Sequence, residues 1–255
     1  MVWENKVVIV TGGGSGIGEA VCRRFAKEGA SVVVVNRTAS KGEQVAKDIT
    51  ASGGKAYALQ GDVSSEADVK HIITEVMKKF SKIDVLVNNA AVCPQVKLTE
   101  MTLEEWNHVI STNLTSVFLW CREVIPAMIS QGGGVIVNVS SVHALATLDG
   151  YSAYSASKGG IVSLTRAIAL DYARQNIRIN TVLPGAVLTP MLESSAKNLH
   201  TPKEEIMKVW DQSQPIGRVG QPDEIAVAVM FAANPENSFM TGASLVVDGG
   251  MTIEL

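Results

Sequence analysis

The chain has 255 residues, of which 46% are hydrophobic and 18% charged, with a formal net charge of -3. That much apolar material can bury a large core, which excludes a disordered chain. The slight acidity offers no footprint for nucleic acid or for an anionic membrane, and neither is expected as a partner. The amino end, Met1 to Lys6, has no basic leader region, and the apolar run Val7 to Val10 is too short for a leader or a membrane span. A cytoplasmic protein is therefore expected. Cys22, Cys93 and Cys121 are odd in number and far apart, as suits reduced thiols. His71, His108, His143 and His200 form no ligand cluster, so no metal site is expected.

Taken in chain order, β-branched runs alternate with stretches of helical periodicity. Strands are predicted at Lys6–Thr11, Ser31–Asn36, Lys55–Gly61, Ile83–Asn88, Gly134–Ser140, Ile177–Leu183 and Ala243–Asp248. Helices are predicted at Gly16–Glu28, Ser40–Ser52, Ser65–Phe80, Leu103–Ser130, Tyr154–Gln175 and Pro222–Ala233. This order implies an α/β fold: a three-layer, doubly wound parallel sheet of about seven strands in one domain, residues 1–255. Strands such as Val32–Val35 are apolar on both sides, as burial on both faces requires. One segment, 186–214, breaks the alternation, with Thr-Pro at 189–190 and 201–202 and a short helix expected from Lys203 to Trp210. Excursions of that length are usually lids or binding loops, and a lid over the substrate is expected here.

The first strand runs into Thr11-Gly12-Gly13-Gly14-Ser15-Gly16-Ile17-Gly18, which opens a helix. Glycines allow the tight turn and a close approach to the backbone, and a helix N-terminus offers unpaired N–H groups to an anion. Gly12, Ser15, Gly16, Ile17 and Gly18 are thus candidates to cradle a dinucleotide's phosphates. At the end of the second strand, where a carboxylate would accept from an adenosine ribose, stand Asn36 and Arg37. A guanidinium there can pair with a 2′-phosphate, or it can point to solvent; the pairing predicts NADP(H) as preferred cofactor, with NAD(H) also usable.

After the fifth strand the chain reads Ser140-Ser141-Val142-His143 and continues to Tyr151, Tyr154 and Lys158. Tyr154 and Lys158 are four apart on one helix face, past a strand's carboxyl end, where open parallel sheets bind ligands. A free phenol has a pKa near 10, so a phenolate at neutral pH costs about 4 kcal/mol. A nearby cation in a dry site can remove much of that cost, which would let Tyr154 exchange a proton with an alcohol. Tyr151 has Ser155 at the matching offset and lacks the ammonium.

Together these residues resemble the classical short-chain dehydrogenase/reductase family over essentially the whole chain. The marks are Thr11-Gly12-x-x-x-Gly16-x-Gly18, Asp62-Val63, Asn88-Asn89-Ala90, Asn113, Ser141, Tyr154 with Lys158, and Pro184-Gly185. One departure is Ala91, where the family often has glycine. The resemblance implies a Rossmann-like fold and hydride transfer between a nicotinamide and a secondary alcohol or carbonyl. It implies Tyr154 as acid/base, Ser141 holding the substrate oxygen, Lys158 bonding the nicotinamide ribose, and Asn113 holding a water in a proton relay. Ser140 competes with Ser141 for the substrate oxygen, since alternation points the two opposite ways, and spacing favours Ser141. Asn113 could equally be an interior polar residue satisfied by backbone. The resemblance places Asp62 and Val63 beside the adenine, although Asp62 could instead cap a helix. Asn88, Asn89 and Ala90 would line the cofactor, and Pro184, Gly185, Val187 and Thr189 would close over the nicotinamide.

Beyond Ser141 and Tyr154, the substrate is expected to meet Gln95 and His143, within a wall drawn from Val92 to Gln95, Val142 to Tyr151 and the 186–214 segment. Its mixture of polar and apolar groups suits a small polyhydroxy compound, a sugar or polyol. The nearest alternative is a 3-oxoacyl-(acyl-carrier-protein) reductase, which shares every mark above. A dinucleotide-sensing regulator is a non-enzyme alternative, but such proteins usually lack the Tyr/Lys pair. An enoyl reductase would want its tyrosine and lysine farther apart. The family further implies a homotetramer, paired through Leu103–Ser130 and Tyr154–Gln175, and through the last strand with the tail Met251 to Leu255.

Overall fold

The computed structural model describes residues 2–198 and 203–253; Thr201-Pro202, His200 and the tail residues Glu254-Leu255 lie outside the described residues. Valine-rich runs dominate the strands, which order as β3-β2-β1-β4-β5-β6-β7 with every pairing parallel. The strands are β1 (Val7–Thr11), β2 (Ser31–Asn36), β3 (Lys55–Gln60), β4 (Val85–Asn88), β5 (Gly134–Val139), β6 (Ile177–Pro184) and β7 (Ser244–Val247). All seven expected strands are present among the described residues, with ends shifted by one or two positions.

Alternation along each strand divides the core in two. Val8, Val10, Val32, Val34, Val85 and Val87 face one side, packed under helices α1 (Gly16–Lys27) and α2 (Ala39–Ala51), and the same cluster includes Ile225 and Val229. Val7, Ile9, Val33, Val35, Leu86 and Ile136 face the other, packed with Ile72 of α3 (Glu66–Phe80) and with Trp120 and Ile161. Strands buried on both faces have no polar side to show, which is why they read as continuous apolar runs.

The predicted helix Leu103–Ser130 is two helices, α4 (Leu103–Ile110) and α5 (Ser116–Ser130), joined by a π turn over Ser111–Thr115. A π turn inserts a residue without breaking the apolar face, so periodicity alone reads through it. Thr102 starts α4 with a capping box, its hydroxyl accepting from the Glu105 backbone N–H while Glu105 accepts from the Thr102 N–H. Next comes α6 (Ser152–Tyr172), which begins two residues before Tyr154 and carries both Tyr154 and Lys158. The 186–214 segment holds α7 (Pro190–Asn198), unexpected from sequence, and α8 (Lys203–Gln212), which extends the expected Lys203–Trp210 helix. Its base is anchored: Leu188 N–H donates to Gly220 O at 2.9 Å and Ile216 N–H to Gly249 O at 3.1 Å. The last helix, α9 (Pro222–Ala233), packs on α1. None of the described helices is long and apolar enough to cross a membrane.

The strand order reverses between β1 and β4. Successive connections leave in opposite directions there, and a crevice opens at the carboxyl ends of those strands, the usual ligand position in such sheets.

Candidate active site

The glycine turn follows β1 at that switch point. Gly12 has φ +65°, and a Cβ there would lie 2.9 Å from Ala90 Cα, so only glycine fits. At Gly18 a Cβ would collide with the Gly12 carbonyl oxygen, which locks the helix start against the turn. Ser15 is the N-cap of α1 but makes no side-chain cap bond. The first-turn N–H groups are therefore left to an external acceptor, and the turn fits a pyrophosphate in the manner of helix N-termini. A Cβ on Gly16 would lie 3.2 Å from Thr189 Cγ2, which brings Thr189 from the long segment directly over the turn.

Other expected cofactor residues brace this site. Asn89 Nδ2 donates to Thr11 O at 3.0 Å, and the backbone N–H groups of Asn89 and Ala90 donate to Thr11 Oγ1 at 2.9 and 3.2 Å. The Asn89 amide thus shapes the turn, with Thr11 as its hinge. Asn88 is buried and donates to Asn138 Oδ1 at 2.9 Å, inside the sheet. Asn36 packs against Gly14 and donates to Thr38 O at 2.9 Å. Pro184 ends β6, Gly185 N–H donates to Val247 O at 3.0 Å, and Val187 is buried in the core cluster beside α9.

Arg37 and Asp62 share a cavity of about 320 Å³ with Gln60, Gly61, Asp68 and His71; sequence reasoning did not find the last two. Asp62 Oδ1 accepts from Ser64 N–H at 2.8 Å and Ser64 Oγ at 2.6 Å. Burial opposes ionisation of Asp62, but those bonds, with Arg37 and His108 nearby, hold its carboxyl below the usual range. Val63 is buried beside it. A larger cavity of about 410 Å³, lined by Lys6, Asp84 and Arg178 among others, lies at the amino ends of the strands, far from the glycine turn.

At the carboxyl end of β5 the two serines part. Ser140 Oγ donates to Lys158 O at 2.8 Å, which ties the strand to the α6 backbone. Ser141 Oγ accepts from His143 N–H at 3.2 Å and lies near enough to the Tyr154 phenol to favour its ionised form. Of the two, Ser141 is the one that faces the phenol. Tyr154 is 8% exposed and Lys158 2%, and Lys158 Nζ lies 5.5 Å from the Tyr154 ring centroid while donating to Val139 O at 2.9 Å. Burial pushes the Lys158 ammonium down to about 8, partly offset by Cys93. Burial also pushes the Tyr154 phenol above its ordinary 10, with Cys93 and Tyr151 adding, and Ser141 pulls the other way. The sequence reading weighed the neighbouring amine and left out this desolvation, because exposure is not legible from spacing.

Asn113, at the centre of the π turn, is fully buried. Its Oδ1 accepts from Val92 N–H at 2.8 Å, while Nδ2 donates to Val92 O at 2.9 Å and to Ser157 Oγ at 3.1 Å. It therefore pins the loop after β4 to α6, one residue from Lys158. That loop carries Cys93, a half-buried thiol close enough to influence Lys158, Tyr151 and Tyr154, which the sequence reading did not single out as a site residue. Burial pushes the thiol up to about 12, so it is held protonated.

The rim of the site joins two loops. Gln95 is exposed, donating to Asp149 O at 3.4 Å, and Val96 N–H donates to Gly150 O at 2.8 Å. His143 stands inside this rim, its ring centroid 4.9 Å from that of Tyr151 and 5.4 Å from that of Tyr154.

Comparison with known proteins gives a consistent neighbourhood. The family described as enoyl-(acyl carrier protein) reductase matches residues 12–252. A 3-oxoacyl-(acyl-carrier-protein) reductase of Chlamydia pneumoniae is 39% identical over 247 residues, 97% of each chain. The solved aldohexose dehydrogenase of Thermoplasma acidophilum superposes with a TM-score of 0.91 at 36% identity, covering 99% of this chain and 96% of that one. A structure from Burkholderia xenovorans assigned to the short-chain dehydrogenases/reductases gives a TM-score of 0.96 at 32% identity, over 100% and 99% of the two chains.

Proposed function

Since the chain belongs to the short-chain dehydrogenase/reductase family and is an oxidoreductase of the NAD(P)-using kind, we propose that it interconverts a secondary alcohol and its ketone or aldehyde, with Tyr154 as acid/base. The observation that carries this reading is the burial of the Tyr154 ring beside the Lys158 ammonium, with Ser141 near enough to the phenol to favour its ionised form. When bound, the nicotinamide supplies or accepts the hydride. Ser141 holds the substrate oxygen, and Tyr154 takes the hydroxyl proton in oxidation or returns it to the oxygen in reduction. A Lys158 ammonium beside the ring favours the phenolate over the neutral phenol and so works against the burial that opposes it. Asn113 holds the loop after β4 against α6 and so positions that pair; a water held behind Lys158 would extend the relay through Ser157.

Arg37, opposite the glycine turn's far end and beside Asp62, favours NADP(H), with NAD(H) as second cofactor. The substrate is a small polyhydroxy compound, a reading supported by the polar rim and by the aldohexose dehydrogenase likeness. A 3-oxoacyl thioester is the second reading, supported by the Chlamydia relative. The enzyme works in the cytoplasm as a single domain in which the 186–214 segment covers the substrate. It assembles as a homotetramer through α4, α5 and α6, where Leu103, Phe118 and Leu170 stand exposed, and through the β7 edge.

The test is a panel of sugars, polyols, simple secondary alcohols and 3-oxoacyl esters with each cofactor, read by absorbance of the reduced nicotinamide. Turnover of polyols or sugars with NADP(H) is expected; turnover confined to 3-oxoacyl esters would establish the second reading.

A further inference from the structure

Two polar side-chain tips beside Tyr154 have no protein partner among the described residues. The His143 ring hangs two residues past Ser141, beside the rings of both Tyr151 and Tyr154, at 4.9 and 5.4 Å. Its Nδ1 is engaged at 2.8 Å by Thr147 Oγ1, which is held in turn at 2.6 Å by Ser155 Oγ. This hydroxyl pair fixes the ring and leaves Nε2 as its available polar atom. Tyr151 is half-buried, its ring 6.4 Å from that of Tyr154, and its hydroxyl likewise pairs with no protein group among the described residues. Burial keeps both groups uncharged near neutral pH: it lowers the imidazole and raises the phenol, where Cys93 and Asp149 add to the rise. Half-buried neutral polar tips that find no protein partner need one from the ligand, and a ligand without it leaves them desolvated and unpaired.

We propose that His143 and Tyr151 recognise a second oxygen on the carbon next to the reacting one, so that the substrate is a vicinal diol or α-hydroxy ketone. This rests on the acid/base reading of Tyr154 and narrows it. Ser141 and Tyr154 take the reacting oxygen, and the Nε2 and phenol tips take its neighbour. A simple secondary alcohol fills the same space and satisfies only the first pair. Sites built to bond a substrate hydroxyl discriminate strongly against the analogue that lacks it, by far more than a methylene-sized change does.

Matched probes test this: trans-1,2-cyclohexanediol, cyclohexanol and ethyl 3-hydroxybutyrate, each oxidised by the wild-type enzyme and by His143→Phe, His143→Gln and Tyr151→Phe. The wild type is expected to favour the diol over cyclohexanol by about tenfold or more in kcat/KM. Phe at either position should erase most of that ratio, chiefly through KM, and Gln at 143 should restore part of it. A structural role would move all three substrates together and leave the ratio unchanged, which would overturn the proposal, as would equal use of cyclohexanol or a preference for the 3-hydroxy ester. If the wild type oxidises none of the three with either cofactor, the acid/base reading itself falls, and the proposal with it.

Discussion

The Lys158 ammonium enters the core of the site donating to the Val139 carbonyl, and burial holds it near 8 against an ordinary 10.5. A base whose folded pKa is depressed penalises the fold at low pH, where both states are charged. The penalty is relieved as pH rises from 8 to 10.5, because there the unfolded chain binds the extra proton. Tyr154 runs opposite: its raised pKa stabilises below the phenol's ordinary 10 and loses that contribution only at higher pH. The melting temperature of the wild type should therefore climb between pH 8 and 10 relative to Lys158→Met, and parallel curves would show that the amine is not desolvated. At the other end of the site, Arg37→Ala should raise KM for NADP(H) relative to NAD(H) by about 10- to 100-fold, as expected for a charge-assisted bond worth about 1.5–3 kcal/mol. An unchanged ratio in steady-state kinetics would free Arg37 of that role. Residue types at these positions were legible from spacing alone. Alternation left Ser140 and Ser141 open and the family spacing favoured Ser141; what occupies Ser140 instead, its bond to the Lys158 carbonyl, is visible only in the fold.

Among the elements, the π turn at Ser111–Thr115 does the most to assemble the site. It swings Asn113 inward, where one amide satisfies both backbone groups of Val92 and reaches Ser157. Asn113→Ala leaves the half-buried Val92 N–H and C=O without their protein partner, at a cost of up to about 1–3 kcal/mol for each group that water does not reach. Urea unfolding should show a loss in that range, and kcat should fall as the loop bearing Cys93 loosens; unchanged stability would mean that water replaces the amide without cost. Strand and helix order could be read from the sequence because parallel strands buried on both faces leave long apolar runs. The π turn could not, since it preserves the apolar face on either side. Helix α7 escaped for another reason: its Thr189-Pro190 start looks like a loop signal, yet proline is well suited to the first position of a helix.

For the molecule as a whole, the switch point between β1 and β4 gathers distant parts of the chain. The glycine turn, the Asn89 brace, Thr189 and Ser141 follow the carboxyl ends of strands in one sheet, and α6 brings Tyr154 to the same edge. The apolar residues left exposed on α4, α5 and α6 are the expected tetramer contacts. Light scattering at micromolar concentration should give the mass of four 27.1 kDa chains, and a monomer there would contradict that assembly. The tetramer is an expectation from family resemblance alone, because an exposed leucine on a helix reads the same whether it meets water or a partner. The central claim is that the Tyr154 hydroxyl carries the proton, and Tyr154→Phe keeps the ring while removing that oxygen. Single-turnover hydride transfer with the best substrate should fall by about 100-fold or more, while NADPH affinity measured by fluorescence stays close to the wild-type value. Hydride transfer within about tenfold of wild type would contradict it.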